Sequence, residues 1–199
     1  MRPARMALWA LMTACLALSG CAALDSISSD VSSFGDWPAA RKPGSYAFER
    51  LPSQQARAAE ADALEAAAKA ALAKAGFSPV AAGQEPDVLI HVGARLDRTE
   101  ISPWADPFWR GGFGYRSGPW GGPYWGLGFQ LDATRYEREV AVLIRDRASG
   151  KPLFEARARN ESRVSGMASQ TVAAMFEAAL LDFPRLGMNP RRVQVALPR

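Results

Sequence analysis

Cysteine and histidine are nearly absent from this chain of 199 residues. The two cysteines, Cys15 and Cys21, both fall in the opening stretch. From Ala22 onward there is no thiol, which excludes a disulfide, a thiolate metal site and a cysteine nucleophile. His91 is the single histidine, and one imidazole cannot build a histidine-rich metal centre. The expectation is therefore no metal and no cofactor. Charge of one sign is also scarce. Lys and Arg number 24 against 20 Asp and Glu. The two signs alternate along the chain without a run of either, so nucleic acid is not an expected partner. The apolar run from Met6 to Leu18 is shorter than the roughly 20 residues of a membrane-spanning helix.

What the opening does contain is an ordered pattern. Arg2 and Arg5 come first, the apolar run follows, and Leu18-Ser19-Gly20-Cys21 closes it. A positive start, an apolar middle and small residues are the layout of a secretory signal, here residues 1–20. The closing tetrad resembles a bacterial lipobox, in which Cys21 is acylated and becomes the first mature residue. Losing Arg2 and Arg5 lowers the net charge from +4 to +2. In sorted lipoproteins of two-membrane bacteria, Asp after the cysteine would suggest the inner membrane. Ala22 stands there instead, so the expected site is the outer membrane, facing the periplasm. Residues 21–44 are rich in Ser, Asp, Ala and Pro, and read as a flexible tether between lipid and domain.

The domain is expected over 45–199. Ser45 to Leu51 alternates as a strand. Gln54 to Ala75 is dominated by alanine, the best helix former, with Ser53 placed to cap it and Gly76 to end it. Leu64, Ala68, Ala71, Leu72 and Ala75 form a narrow apolar stripe, which suits packing on a sheet. Phe77 to Val80 is a short strand lead-in. Val88 to Leu96 begins as an apolar block, as a central strand does. His91 lies within it. No nucleophile stands beside it in sequence, so a satisfied core or groove histidine is the plain reading and a catalytic base the sharper one.

Thr134–Arg145 and Pro152–Ser162, joined by Asp146 to Lys151, read as a hairpin. Val140, Val142, Ile144, Phe154, Ala156 and Ala158 share one face. Glu137, Glu139, Glu155, Arg157 and Arg159 share the other, which reads as a solvated side with cross-strand charge pairs. A carboxylate pair for catalysis is disfavoured there, because neighbouring arginines lower carboxylate pKa values where a general acid needs one raised. Val172, Met175, Phe176, Ala179, Leu180 and Phe183 follow helical spacing, with Ser169 as candidate cap and Pro184 as the stop. Val193, Val195 and Leu197 alternate as a short edge strand.

Residues 103–129 stand apart. They hold eight glycines and nine aromatic residues. Glycine at this density resists both helix and strand, so a long loop is expected. Such loops are usually functional or disordered. Trp104, Trp109, Tyr115, Trp120, Tyr124 and Trp125 are the candidate binding residues, since Trp and Tyr favour half-wet boundaries. The plain alternative is a flexible insertion whose aromatics partly collapse on the sheet.

Taken in order, the lipobox, Ser45-Tyr46-Ala47-Phe48, the helix ending at Gly76-Phe77, Pro86-Asp87-Val88-Leu89-Ile90, the Gly/aromatic loop, the hairpin and the helix ending in Phe183-Pro184 resemble the DUF4136 lipoproteins, a group of bacterial envelope proteins. The resemblance covers about Tyr46 to Pro184. It departs where the family usually carries Trp, a small residue and Gly, and this chain has Phe154-Glu155-Ala156. It implies an envelope location and brings no catalytic residues.

The element order gives an α+β, two-layer domain: a mostly antiparallel sheet with two helices packed on one face. The expected role is a membrane-anchored, non-catalytic binding or support module. Its partners would be the membrane, through lipid on Cys21, and an envelope protein or glycan, through the loop. A hydrolase of an envelope polymer and a carrier of a small hydrophobic ligand are the alternatives. A carrier would show an apolar pocket lined by Leu64, Ala68, Val172 and Phe176.

Overall fold

The firmest pattern in the sequence, the alternating hairpin, sits at the centre of the sheet. A computed structural model of the chain describes residues 26–100 and 134–198. Strands β1 (Ser26–Gly35), β2 (Ser45–Phe48), β3 (Ser78–Pro79), β4 (Val88–Glu100), β5 (Thr134–Asp146), β6 (Pro152–Ser162) and β7 (Arg191–Ala196) are joined by helices α1 (Pro52–Gln55), α2 (Ala58–Lys74) and α3 (Ser169–Leu180). Among the described residues the strands form one sheet in the order β3-β2-β4-β5-β6-β1-β7. Only the β2–β3 and β2–β4 pairings are parallel. The fold is the expected α+β sandwich. No helix among the described residues is long and apolar enough to cross a membrane.

Strand alternation decides which face is covered. Ile90, Val92, Val140, Val142, Ile144, Phe154, Ala156 and Ala158 are buried under the helices. α3 supplies Val172, Met175, Phe176, Ala179 and Leu180 to the same core, as its spacing requires. α2 supplies Ala61, Ala68, Ala71 and Leu72. Its alanines let α3 lie close beside it, and Lys74 pairs with Glu177 of α3 at 2.7 Å. Leu64 packs against this core, in which Ala68, Val172 and Phe176 are buried. The space between helices and sheet is therefore filled by side chains at the positions where a carrier pocket was considered.

The segment read as a tether differs from expectation. Ser26–Gly35 is an inner strand, paired with β6 on one side and β7 on the other. Its inward positions are Ile27, Ser29, Val31 and Ser33, all buried. Serine is small enough to lie beneath α3, so the strand is buried with only two large apolar residues. The Asn189 side chain completes it: the Ser33 amide donates to Asn189 Oδ1 at 2.8 Å, and Asn189 Nδ2 donates to the Ser33 carbonyl at 2.7 Å. Gly35 then turns the chain away at φ 134°, passing close to the Leu153 carbonyl.

Residues after Gly35 are also part of the domain. Trp37 packs edge-on against Phe183 and Phe77, with ring centroids 4.8 and 5.8 Å away. Its indole nitrogen donates to the Arg41 carbonyl at 2.8 Å. Arg41 in turn reaches Asp146 at the hairpin turn, 2.7 Å, and the Asp87 carbonyl, 3.1 Å.

Two helix starts also differ. The chain enters α1 at Pro52, breaks near Arg57, and resumes as α2. Gln54, not Ser53, closes the first turn: its side chain accepts from the Leu51 amide at 3.0 Å and donates to the Val92 carbonyl at 2.8 Å. Ser169 lies inside the first turn of α3, after Ala168 at the cap position. At the other end of α2, Gly76 takes φ 92°, the conformation expected of a helix-stopping glycine.

Candidate functional site

The uncovered face of the sheet carries charge laid out by register. Directly opposed positions across five strands are Arg95, Glu139, Arg159, Asp30 and Arg192, from β4 to β7. The signs alternate at every step. Arg159 donates to Glu139 at 2.6 Å and Arg192 to Asp30 at 3.1 Å. Arg157 bonds Glu155 at 2.7 Å, and Arg135 bonds Glu161 at 3.2 Å. The expected cross-strand pairing is thus present, and β1 and β7 extend it beyond the hairpin. A shallow groove of ≈ 790 Å³ crosses this face, with Asp30, Ser32, Phe34, Glu155, Arg157 and Arg159 among its lining. Phe34 is 51 % exposed there. Exposed ion pairs of this kind contribute about 0–1 kcal/mol each to stability. Chemically, the face offers paired donors and acceptors with exposed Phe34 among them.

His91 is half-buried on the same face. Its Nδ1 lies 3.1 Å from the Glu49 carbonyl, so the proton is on Nδ1 and the ring is oriented by backbone. Its opposed neighbour is Leu143. Arg145, next along that strand, pairs with Glu49. The described surroundings hold the ring and supply no nucleophile bonded to it.

Three further clamps fix the ends of strands. Arg50, just past β2, bonds Glu65 at 2.5 Å and Asp62 at 2.6 Å on α2. Those hydrogen bonds raise the Arg50 pKa further above its ordinary value. Asp87 accepts from both the amide and the hydroxyl of Ser45 at 2.7 Å, which lowers its pKa. The hydrogen bond from Arg41, followed by those from Ser149, holds the Asp146 carboxyl far below the usual carboxylate range. These are structural clamps between sequence-distant segments.

One end of the sheet gathers the described residues that border the segments the sequence marked out. β1 begins there at Ser26. Asn160 of β6 donates to the Ser28 carbonyl at 2.8 Å, and β6 ends at Ser162 opposite Tyr136 of β5. The β4–β5 pairing runs out at the same end, with Glu100 opposite Thr134. Cys21 and the candidate binding residues Trp104, Trp109, Tyr115, Trp120, Tyr124 and Trp125 lie outside the described residues. The residues flanking both segments are brought together, separated by a single strand, about 10 Å of sheet. Sequence reasoning missed this juxtaposition because it missed β1. The signal it passed over was the weak alternation of Ile27 and Val31 among serines.

A family model, "Domain of unknown function (DUF4136)", matches residues 30–185. No curated protein matches in sequence. Among solved structures, a PDZ domain protein from Parabacteroides distasonis is similar, at 15% identity and a TM-score of 0.55. The likeness covers 85% of this chain and 38% of that one, so this chain spans well under half of that structure. It shows a shared fold and nothing more. Two crystal forms of PelC from Paraburkholderia phytofirmans, 12% and 15% identical, cover 76% of this chain and 94% of theirs at a TM-score of 0.38. The family match starts inside β1, at Asp30, and ends just past α3, at Arg185, so it takes in the helix-covered core. The chain belongs to the DUF4136 family.

Proposed function

We propose that this protein is a lipid-anchored lipoprotein of the bacterial envelope, held on the outer membrane and facing the periplasm by acyl groups on Cys21. It acts as a non-catalytic binding module, with Trp104, Trp109, Tyr115, Trp120, Tyr124 and Trp125 as the contact residues for an envelope protein or glycan. The observation that supports this reading is the shared end of the sheet. The strand that follows Cys21 starts where the two strands flanking the aromatic stretch finish. The described residues that lead to Cys21 and to the aromatic stretch therefore lie at one end of the sheet, with β6 between β1 and β5.

Two other observations favour binding over catalysis or carriage. The carboxylates of the open face are engaged by arginines. The gap between helices and sheet is packed. The test is in-cell crosslinking in the envelope, comparing the full lipidated chain with a version lacking residues 103–129. A specific partner captured by the first and lost from the second, with both forms folded, supports the reading. Equal recovery from both moves the contact to the charged sheet face. A domain that unfolds without the segment sinks the idea of a separable binding element.

A further inference from the structure

Arg138 is an unusual residue for the covered face. It lies on β5 only 8 % exposed, between Leu96 of β4 and Asn160 of β6. Its guanidinium donates to the Gly166 carbonyl at 2.7 Å, the Val164 carbonyl at 2.7 Å and Asn160 Oδ1 at 3.2 Å. A buried arginine left unpaired would be strongly destabilising, so these acceptors fix its position. The bonds to Val164 and Gly166 tie the loop between β6 and α3 to β5. That loop displays Val164 at 70 % exposure, beside Arg163, which makes no ion pair among the described residues.

The position of this loop matters because of Cys21. Asp30 opposes Arg159 in antiparallel register, so Ser26 lies level with the start of the loop. Val164 stands one position beyond it. Ser26 is five positions after Cys21, and a fully extended chain covers at most about 18 Å over that distance. The expected long tether would have let the domain drift well away from its lipid. With β1 built into the sheet, lipid on Cys21 would keep the loop end of the domain within that reach of the headgroup layer.

We infer that the Arg163-Val164 loop is a second membrane contact. Val164 enters the interfacial layer and Arg163 pairs with phospholipid phosphates, so that the sheet stands end-on to the bilayer. An apolar residue flanked by a free cation is the side-chain pair that such an interface accepts. This rests on the lipid-anchor reading of Cys21.

The experiment uses the full lipidated protein in vesicles of phosphatidylethanolamine and phosphatidylglycerol. A fluorophore is placed on Ser165→Cys in one sample and on Met188→Cys in another. Met188 is 84 % exposed and borders Asn189, which binds Ser33 near the opposite end of β1. Quenching by bilayer nitroxide lipids should be several-fold stronger at 165 than at 188. Adding Arg163→Glu and Val164→Asp to the first sample should remove most of that quenching while the protein still floats with the vesicles. Equal, weak quenching at both sites in floating protein would overturn the inference alone. Strong quenching at 165 that survives the double substitution would also overturn it, because the tether by itself would then explain proximity. Protein that does not float would overturn the anchor reading and this inference with it.

Discussion

The Asn160 side chain donates to the Ser28 carbonyl at 2.8 Å, tying β6 to a strand that begins five residues after Cys21. The contact places the segment that starts at Ser26 inside the fold. It turns an expected spacer into a structural strand between β6 and β7.

If β1 is integral, neighbouring substitutions on its two faces should differ sharply. Val31 is fully buried beneath α3, and Val31→Asp would place an unpaired carboxylate in the core, at several kcal/mol. Asp30→Asn, one residue away on the open face, should cost less than about 1 kcal/mol, because its pair with Arg192 is exposed. Chemical denaturation of the two variants checks this.

Gly35 should not tolerate a side chain. At φ 134° an added Cβ would lie 2.4 Å from the Leu153 carbonyl oxygen. Gly35→Ala should destabilise by about 1–3 kcal/mol, from backbone strain and the clash together. A thermal midpoint unchanged from the parent would contradict the turn described here.

Acid should weaken the clamp at the hairpin turn. The folded-state pKa of Asp146 is held low by Arg41 and Ser149, and an unfolded aspartate titrates near about 3.9. The depressed group contributes stability that is fully present above that unfolded value. It is lost as pH falls below about 4 towards the folded value. Asp87 adds to the same trend through Ser45. Asp146→Asn should therefore be less stable than the parent near neutral pH and show a shallower loss below pH about 4. Urea midpoints measured across that range test the sign.

Core and open face should respond differently. Phe176 is fully buried where α3 meets the sheet, and Phe176→Ala should cost about 3–5 kcal/mol. His91→Gln should leave folding and partner capture nearly intact, since its described contact is with a backbone carbonyl. A turnover abolished by His91→Gln would revive the hydrolase alternative.

Much of the fold was legible because the large apolar residues carry a clear period. Val140, Val142 and Ile144 alternate along β5, and Val172, Met175, Phe176, Ala179 and Leu180 repeat at helical spacing along α3, so both elements and their buried faces could be read directly. β1 was hidden by chemistry. Ser29 and Ser33 occupy buried inward positions where period analysis looks for Val or Leu. Arg138 was hidden for the opposite reason: a charged residue on an apolar face reads as an error of phase until the carbonyls of Val164 and Gly166 supply its partners. The charge row across the open face was half visible. Glu139 and Arg159 belong to the hairpin, while Asp30 and Arg192 join them only through a strand that sequence periodicity did not reveal.

The most direct test of the central claim is the mass of the mature N-terminal peptide, taken from protein isolated with envelope membranes. The account expects a chain that starts at Cys21, with its sulfur carrying a diacylglyceryl group. An unmodified Cys21, with residues 1–20 retained or cleaved elsewhere, would contradict it.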